Sequence, residues 1–121
     1  MRIYKTRWFA RFARQAKIAD SSLRAAVVRA ERGLIDADLG GHVIKQRVAR
    51  PGQGRSGGYR VLIAYSPAAR SVMLFGFAKN ERDNIAADEL ATLKEIASAW
   101  LSATDAEIDE AIVNGLLQEV K

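Results

Sequence analysis

The chain has 121 residues, nearly half of them apolar, with no cysteine, one histidine and a formal net charge of +5. That composition suits one domain around one core and excludes a disulfide framework, a thiolate metal site and a His-rich zinc site. A Ser-His-Asp arrangement is excluded unless His42 supplies the base, and neither a signal peptide nor an apolar run of roughly 18 residues for a membrane span is present, so a cytoplasmic protein without membrane contact is expected.

Taken in order, Arg2 to Lys5 reads as a short strand. Thr6 then caps a helix to about Lys17, whose positions Trp8, Phe9, Phe12, Ala13 and Ala16 recur at three and four and are expected in the core. Asp20 is expected to cap a second helix, Ser21 to Arg32, with Leu23, Ala26, Val27 and Ala30 as its buried stripe and Gly33 as its stop. Leu34 to Gly41 is a connection into a strand from His42 to Ala49. Tyr59 to Tyr65 and Ser71 to Ala78 are strands rich in β-branched and aromatic residues, joined by a turn around Pro67. Asp88 is expected to cap a helix to about Leu101, with Leu90, Leu93, Ala97 and Trp100 on one stripe. Thr104 and Glu107 form a capping-box pattern for a last acidic helix, and Leu116 to Val120 reads as a final short strand or a frayed tail. The fold class is therefore α+β in a single domain over residues 1–121. An N-terminal helical pair packs on a mainly antiparallel sheet of about four strands, with C-terminal helices after it.

Charge is distributed unevenly along these elements. Residues 1–38 hold nine cations and four acids, residues 39–80 seven and none, and residues 81–121 three and ten. A run so free of acid repels itself unless an anion sits on it, which points to a polyanionic partner. Its centre is KQRVARPGQGRSGGYR, residues 45–60. Alternation along the strand puts Lys45 and Arg47 on one face and Ile44 and Val48 on the other. The glycine-rich loop carrying Arg50 and Arg55 can lie close to a ligand, and Tyr59, between Gly58 and Arg60, is a stacking or phenol candidate. A second cluster follows the last long strand: Phe77, Lys79, Asn80, Glu81 and Arg82. In an antiparallel sheet this strand end is expected beside the strand carrying Lys45 and Arg47, with Phe77 available to stack on a base.

The run GGHVIKQRVARPGQGRSGGYRVLIAY, followed some ten residues later by FGFAKNERDNI, resembles the RelE/HigB family of bacterial toxins. The resemblance rests on a lysine, arginine and valine strand, a basic glycine-rich loop ending in Gly-Gly-x-Arg, and a Lys-Asn-Glu after the next hairpin. It implies a RelE-like fold and a ribosome-dependent endoribonuclease that cuts mRNA and is neutralised by a cognate antitoxin. Carried over by position, Lys45, Arg47 and Arg60 match the basic residues around the scissile phosphate, and Lys79 and Arg82 match the cation from the far strand more loosely. Many members also use a tyrosine near the C-terminus, and no tyrosine follows Tyr65 here.

RNA can be cut by its own 2′-hydroxyl, which needs a base, an acid for the departing oxygen and cations for the anionic transition state, with no metal or other cofactor. Arginine supplies fixed bidentate contacts, and lysine is the cation that exchanges a proton. The expected catalytic set is Lys45, Arg47, Arg60 and Lys79, with Glu81 as a second candidate base and His42 peripheral. The expected RNA contacts are Arg50, Arg55, Tyr59, Phe77, Asn80 and Arg82. Two alternatives stay open on the residues alone: a non-cleaving ParE-like toxin acting on DNA gyrase, and a non-catalytic RNA-binding module.

Overall fold

The computed structural model describes residues 1–49, 58–79, 81–82 and 84–121. The elements are β1 (Arg2–Thr6), α1 (Arg7–Ala16), α2 (Asp20–Glu31), β2 (Ala37–Asp38), β3 (Val43–Val48), β4 (Tyr59–Ser66), β5 (Arg70–Ala78), α3 (Ala87–Ser102), α4 (Asp105–Val113) and β6 (Leu117–Glu119). One six-stranded sheet runs in the order β2-β3-β4-β5-β1-β6. The three long strands form the expected antiparallel meander. β1 joins it parallel to β5, and β6 pairs antiparallel with β1. The α+β class thus stands, with a sheet extended at one edge by β2 and at the other by β1 and β6.

Strand alternation sends side chains to opposite faces of this sheet, and both faces are covered. On one, Ile44, Val48, Val61, Ile63 and Met73 pack against Phe9 and Ala13 of α1 and Leu23, Ala26, Val27 and Ala30 of α2. On the other, Tyr4, Val43, Leu62, Ala64 and Val72 pack against Ala97 of α3 and Ile108 and Ala111 of α4. Full burial of a side chain such as Phe9 contributes about 1.5–3 kcal/mol. The second face is covered more loosely: Ala97 is the one fully buried residue of α3.

Local chemistry sets the helix ends. The Thr6 hydroxyl accepts the Phe9 N–H at 3.1 Å and so caps α1, a contact that contributes about 1 kcal/mol. Lys17 leaves the helix in the left-handed region, φ 57, and the Ile18 N–H closes back on the Ala13 carbonyl. For α2 the cap differs from expectation. Ala19 is the N-cap, and the Asp20 carboxylate instead accepts Lys5 Nζ at 2.9 Å and the Lys121 N–H at 2.9 Å. Likewise α3 starts after Ala86, whose N–H is accepted by Glu89 at 3.0 Å, and Asp88 sits in the first turn. The expected capping box of α4 is present, Glu107 N–H to Thr104 Oγ1 at 3.1 Å and Thr104 N–H to Glu107 Oε1 at 2.8 Å.

Trp8 departs from its expected place in the core, being 47% exposed. Helical spacing puts it beside Phe9 and Phe12, but α1 begins level with the open edge of β5, where β1 has ended. Trp8 therefore stacks at that edge, 4.6 Å from Phe75 and 5.6 Å from Phe12 between ring centroids. Gly76 is what lets α1 come so close, because a Cβ there would overlap the Phe12 ring.

Candidate functional site

Strand register assembles the cationic residues. Gly40, Gly41 and His42 all have positive φ (81, 58 and 64), making a tight turn that delivers the chain into β3. From there Lys45 faces Leu62 and Arg47 faces Arg60 across β3 and β4. Across β4 and β5, Leu62 faces Phe75 and Arg60 faces Phe77. Two adjacent rows result, Lys45–Leu62–Phe75 and Arg47–Arg60–Phe77, on the face that α3 and α4 cover elsewhere. Ile44, Gln46 and Val48 point to the opposite face and are buried, so the expected division of β3 holds.

The Arg47–Arg60 pair is the closest kind. The outward groups of Arg47 are bonded away from β4: its N–H to Asp36 Oδ2 at 2.7 Å, and its carbonyl to the Arg29 guanidinium. Arg47 and Arg60 therefore occupy a non-hydrogen-bonded position, where facing Cα atoms are about 4.5 Å apart. Like charges directly opposite are unfavourable in themselves, and on the Arg47 side an acid offsets this. Arg47 also bonds Asp36 Oδ1 through its guanidinium at 3.1 Å. Burial would push the Asp36 carboxyl up, but the bonds from Arg47 outweigh it and hold the group below its ordinary value.

The second cluster reaches this face from the far side. β4 lies between β3 and β5, so the end of β5 adjoins Arg60 and not, as expected, the strand of Lys45 and Arg47. Phe77 is buried at 4% exposure, and the Arg82 guanidinium lies 5.5 Å from its ring centroid and 5.9 Å from that of Phe75. Arg82 is anchored by Glu89 at 2.6 Å and the Asn84 carbonyl at 2.9 Å. The bond between Arg82 and Glu89 holds the Arg82 pKa up and, with the Ala86 N–H, the Glu89 pKa down. Phe77 is thus a floor under Arg82, placed where it supports a cation more readily than it stacks on a base. Lys79 is exposed just past β5, and its N–H meets the Gly58 carbonyl at 3.4 Å.

Other expected site residues are placed apart. Tyr59 is 7% exposed on the α1 face, edge-on to Phe12 at 5.6 Å; alternation that brings Arg60 to one face necessarily sends Tyr59 to the other. His42 lies five residues up β3 from Arg47, roughly 17 Å along a strand, which removes it from chemistry at Arg47. Tyr4 and Tyr65 are buried, which pushes both phenols up, and Tyr65 pairs with Ser71 at the far end of β4. Arg50, Arg55 and Asn80 lie outside the described residues. Among those described, no three His, Cys, Asp or Glu residues converge as metal ligands, and no helix is long and apolar enough to cross a membrane.

Residues that sequence reading missed complete the surroundings. Asp36 sits before β2 and reaches Arg47 across 11 positions, a contact that no local pattern reveals. Phe75, two residues before Phe77 on β5, shares its face of the sheet. Together with Trp8, Leu74, Leu93, Ile96 and Trp100 it lines an apolar groove of about 390 Å³ beside the cationic rows.

A family model described as the RelE toxin of the RelE/RelB toxin-antitoxin system matches residues 1–120. No curated protein matches the chain.

Proposed function

The chain belongs to the RelE toxin family and is the toxin of a toxin–antitoxin pair with a cognate antitoxin as its partner, and from that premise we propose that it blocks translation by cutting mRNA on the ribosome. The 2′-hydroxyl of the cut nucleotide is the nucleophile. Arg47 and Arg60 clamp the scissile phosphate and stabilise the charge that builds on it. Lys45, one row away on the same face, carries the proton, and Lys79 with Arg82 supplies charge from the β5 side. Arg50 and Arg55 contact RNA backbone.

The observation that supports this reading is the Arg47–Arg60 register, which brings the two residues opposite one another on adjacent strands, one row from Lys45. A surface that only binds RNA spreads cations along the backbone, whereas cations converging on one point suit a single phosphate at its most charged. The membership supports the same conclusion at the level of the family.

Product ends test it. Attack by the 2′-hydroxyl leaves a 2′,3′-cyclic or 3′-phosphate on the upstream fragment, and a 2′-deoxy substitution at the cut nucleotide abolishes the reaction. Fragments ending in a 3′-hydroxyl with a 5′-phosphate rule it out, because they require an activated water. Loss of DNA synthesis ahead of protein synthesis in pulse-labelled cells, with messages intact, overturns the ribosomal target itself.

A further inference from the structure

Edge strand β2 ends its pairing where Ala37 meets Lys45. Beyond that point the outer edge of β3 is closed by side chains in place of backbone. Asp36 Oδ2 accepts the Arg47 N–H at 2.7 Å, and Oδ1 accepts from the Arg47 guanidinium at 3.1 Å. Asp36 is itself fixed, since its own N–H donates to Gln46 Oε1 at 2.8 Å. Gln46 is fully buried and donates to the Ala26 carbonyl at 3.0 Å and the Leu34 carbonyl at 3.1 Å. A rigid path therefore runs from the core of α2 through Gln46 to the Asp36 carboxylate.

That carboxylate governs both ends of Arg47, where its backbone lies and where its guanidinium points. The side chain is 46% exposed, so solvent alone would leave its long stem several rotamers. Asp36 also supplies negative charge on the outer side of Arg47, the side away from Arg60, which offsets the charge of Arg47.

We propose that Asp36 is the positioning residue of this site: it fixes the Arg47 side chain on the strand beside Arg60, so that its guanidinium meets the scissile phosphate already ordered. It acts through Arg47 and touches no reacting atom. For its effect on rate this rests on the nuclease reading above; for the order of Arg47 it does not.

Asp36→Asn keeps an oxygen for the Arg47 N–H and removes the charge. With ribosome-bound message, kcat is expected to fall roughly ten-fold with KM unchanged or lower, because the face gains positive charge. In an Arg47→Ala background, Asp36→Asn is expected to add no further loss. Independently of cleavage, NMR of the arginine Nε–H groups in the protein saturated with inorganic phosphate is expected to show an ordered Arg47 signal. That signal should average out in Asp36→Asn. An equal fold loss with and without Arg47, or an Arg47 signal just as ordered in the variant, overturns the inference while leaving the nuclease reading intact. A wild-type protein that cuts no RNA yet shows the expected loss of Arg47 order sinks the nuclease reading and keeps the inference.

Discussion

Arg47 and Arg60 sit opposite one another in the sheet, and the proposed function has them share one anion. Alanine at either position is expected to slow the chemical step about ten- to a thousand-fold, the range for losing one preorganised electrostatic contact, with a smaller change in ribosome affinity. Single-turnover cleavage with toxin in excess separates the two effects. A loss confined to binding, with the chemical step intact, would remove both arginines from the mechanism. At this scale the sequence was legible where parity decides: Lys45 and Arg47 on one face, Ile44 and Val48 on the other. Parity also predicts, correctly, that Arg60 and Tyr59 point opposite ways, yet the Gly-Tyr-Arg run drew attention to both. Gln46 was not legible. A polar residue in an apolar parity reads as surface until its acceptors and donors from α2 and the following connection are seen.

Arg70 counts among the seven cations of the acid-free run, but its role belongs to the helices. Its guanidinium is 13% exposed and donates to the Trp100 carbonyl at 2.7 Å, the Ala103 carbonyl at 2.8 Å and Asp105 Oδ1 at 3.2 Å. One side chain on β5 thus closes the C-terminus of α3, where carbonyls have no helical partner, and receives the first residue of α4. Arg70→Met keeps much of the apolar stem and leaves those carbonyls unbonded. It is expected to cost about 1–3 kcal/mol, with hydrogen exchange speeding first in α3 and α4 because α3 buries little else. Uniform acceleration across all helices would contradict that weak docking. Helices were legible because their apolar stripes and the Thr104–Glu107 box are local. The caps of α2 and α3 were not, because Asp20 found better partners in Lys5 and the Lys121 backbone. β2 and the parallel entry of β1 escaped because β2 is only two residues long and β1 pairs with β5, far along the chain, and no period marks either.

Across the molecule, paired carboxylates set the response to acid, and the sign follows from their direction. Asp20 and Asp36 are held below their ordinary values: burial opposes this in both, and bonds from Lys5 and the Lys121 backbone, and from Arg47, prevail. A group with a depressed folded pKa stabilises fully above its unfolded value, about 3.9 for Asp, and loses that contribution as pH falls through the folded value. The unfolding midpoint is therefore expected to be flat from neutrality to about pH 5 and to drop below about pH 4, less so in Asp20→Asn. A midpoint unchanged down to pH 2.5 would show that these pairs contribute nothing.

On the proposed function, charge also organises the approach to RNA. α3 and α4 cover one end of the sheet face whose other end carries Lys45, Arg47 and Arg60, and exposed Asp105, Glu107, Asp109 and Glu110 make α4 the acidic pole. A polyanion pulls one pole and repels the other, so the molecule should meet RNA with its cationic rows leading. The acidic helix then acts on encounter and not on chemistry. Asp109→Asn with Glu110→Gln is expected to raise non-specific RNA affinity several-fold at low salt, with the difference shrinking as ions screen the field and kcat on the ribosome unchanged. Filter binding across a salt series measures this. Affinity unaltered at the lowest salt would mean that the acidic pole lies too far from the bound strand to orient it, and that its charge serves contacts with the antitoxin instead.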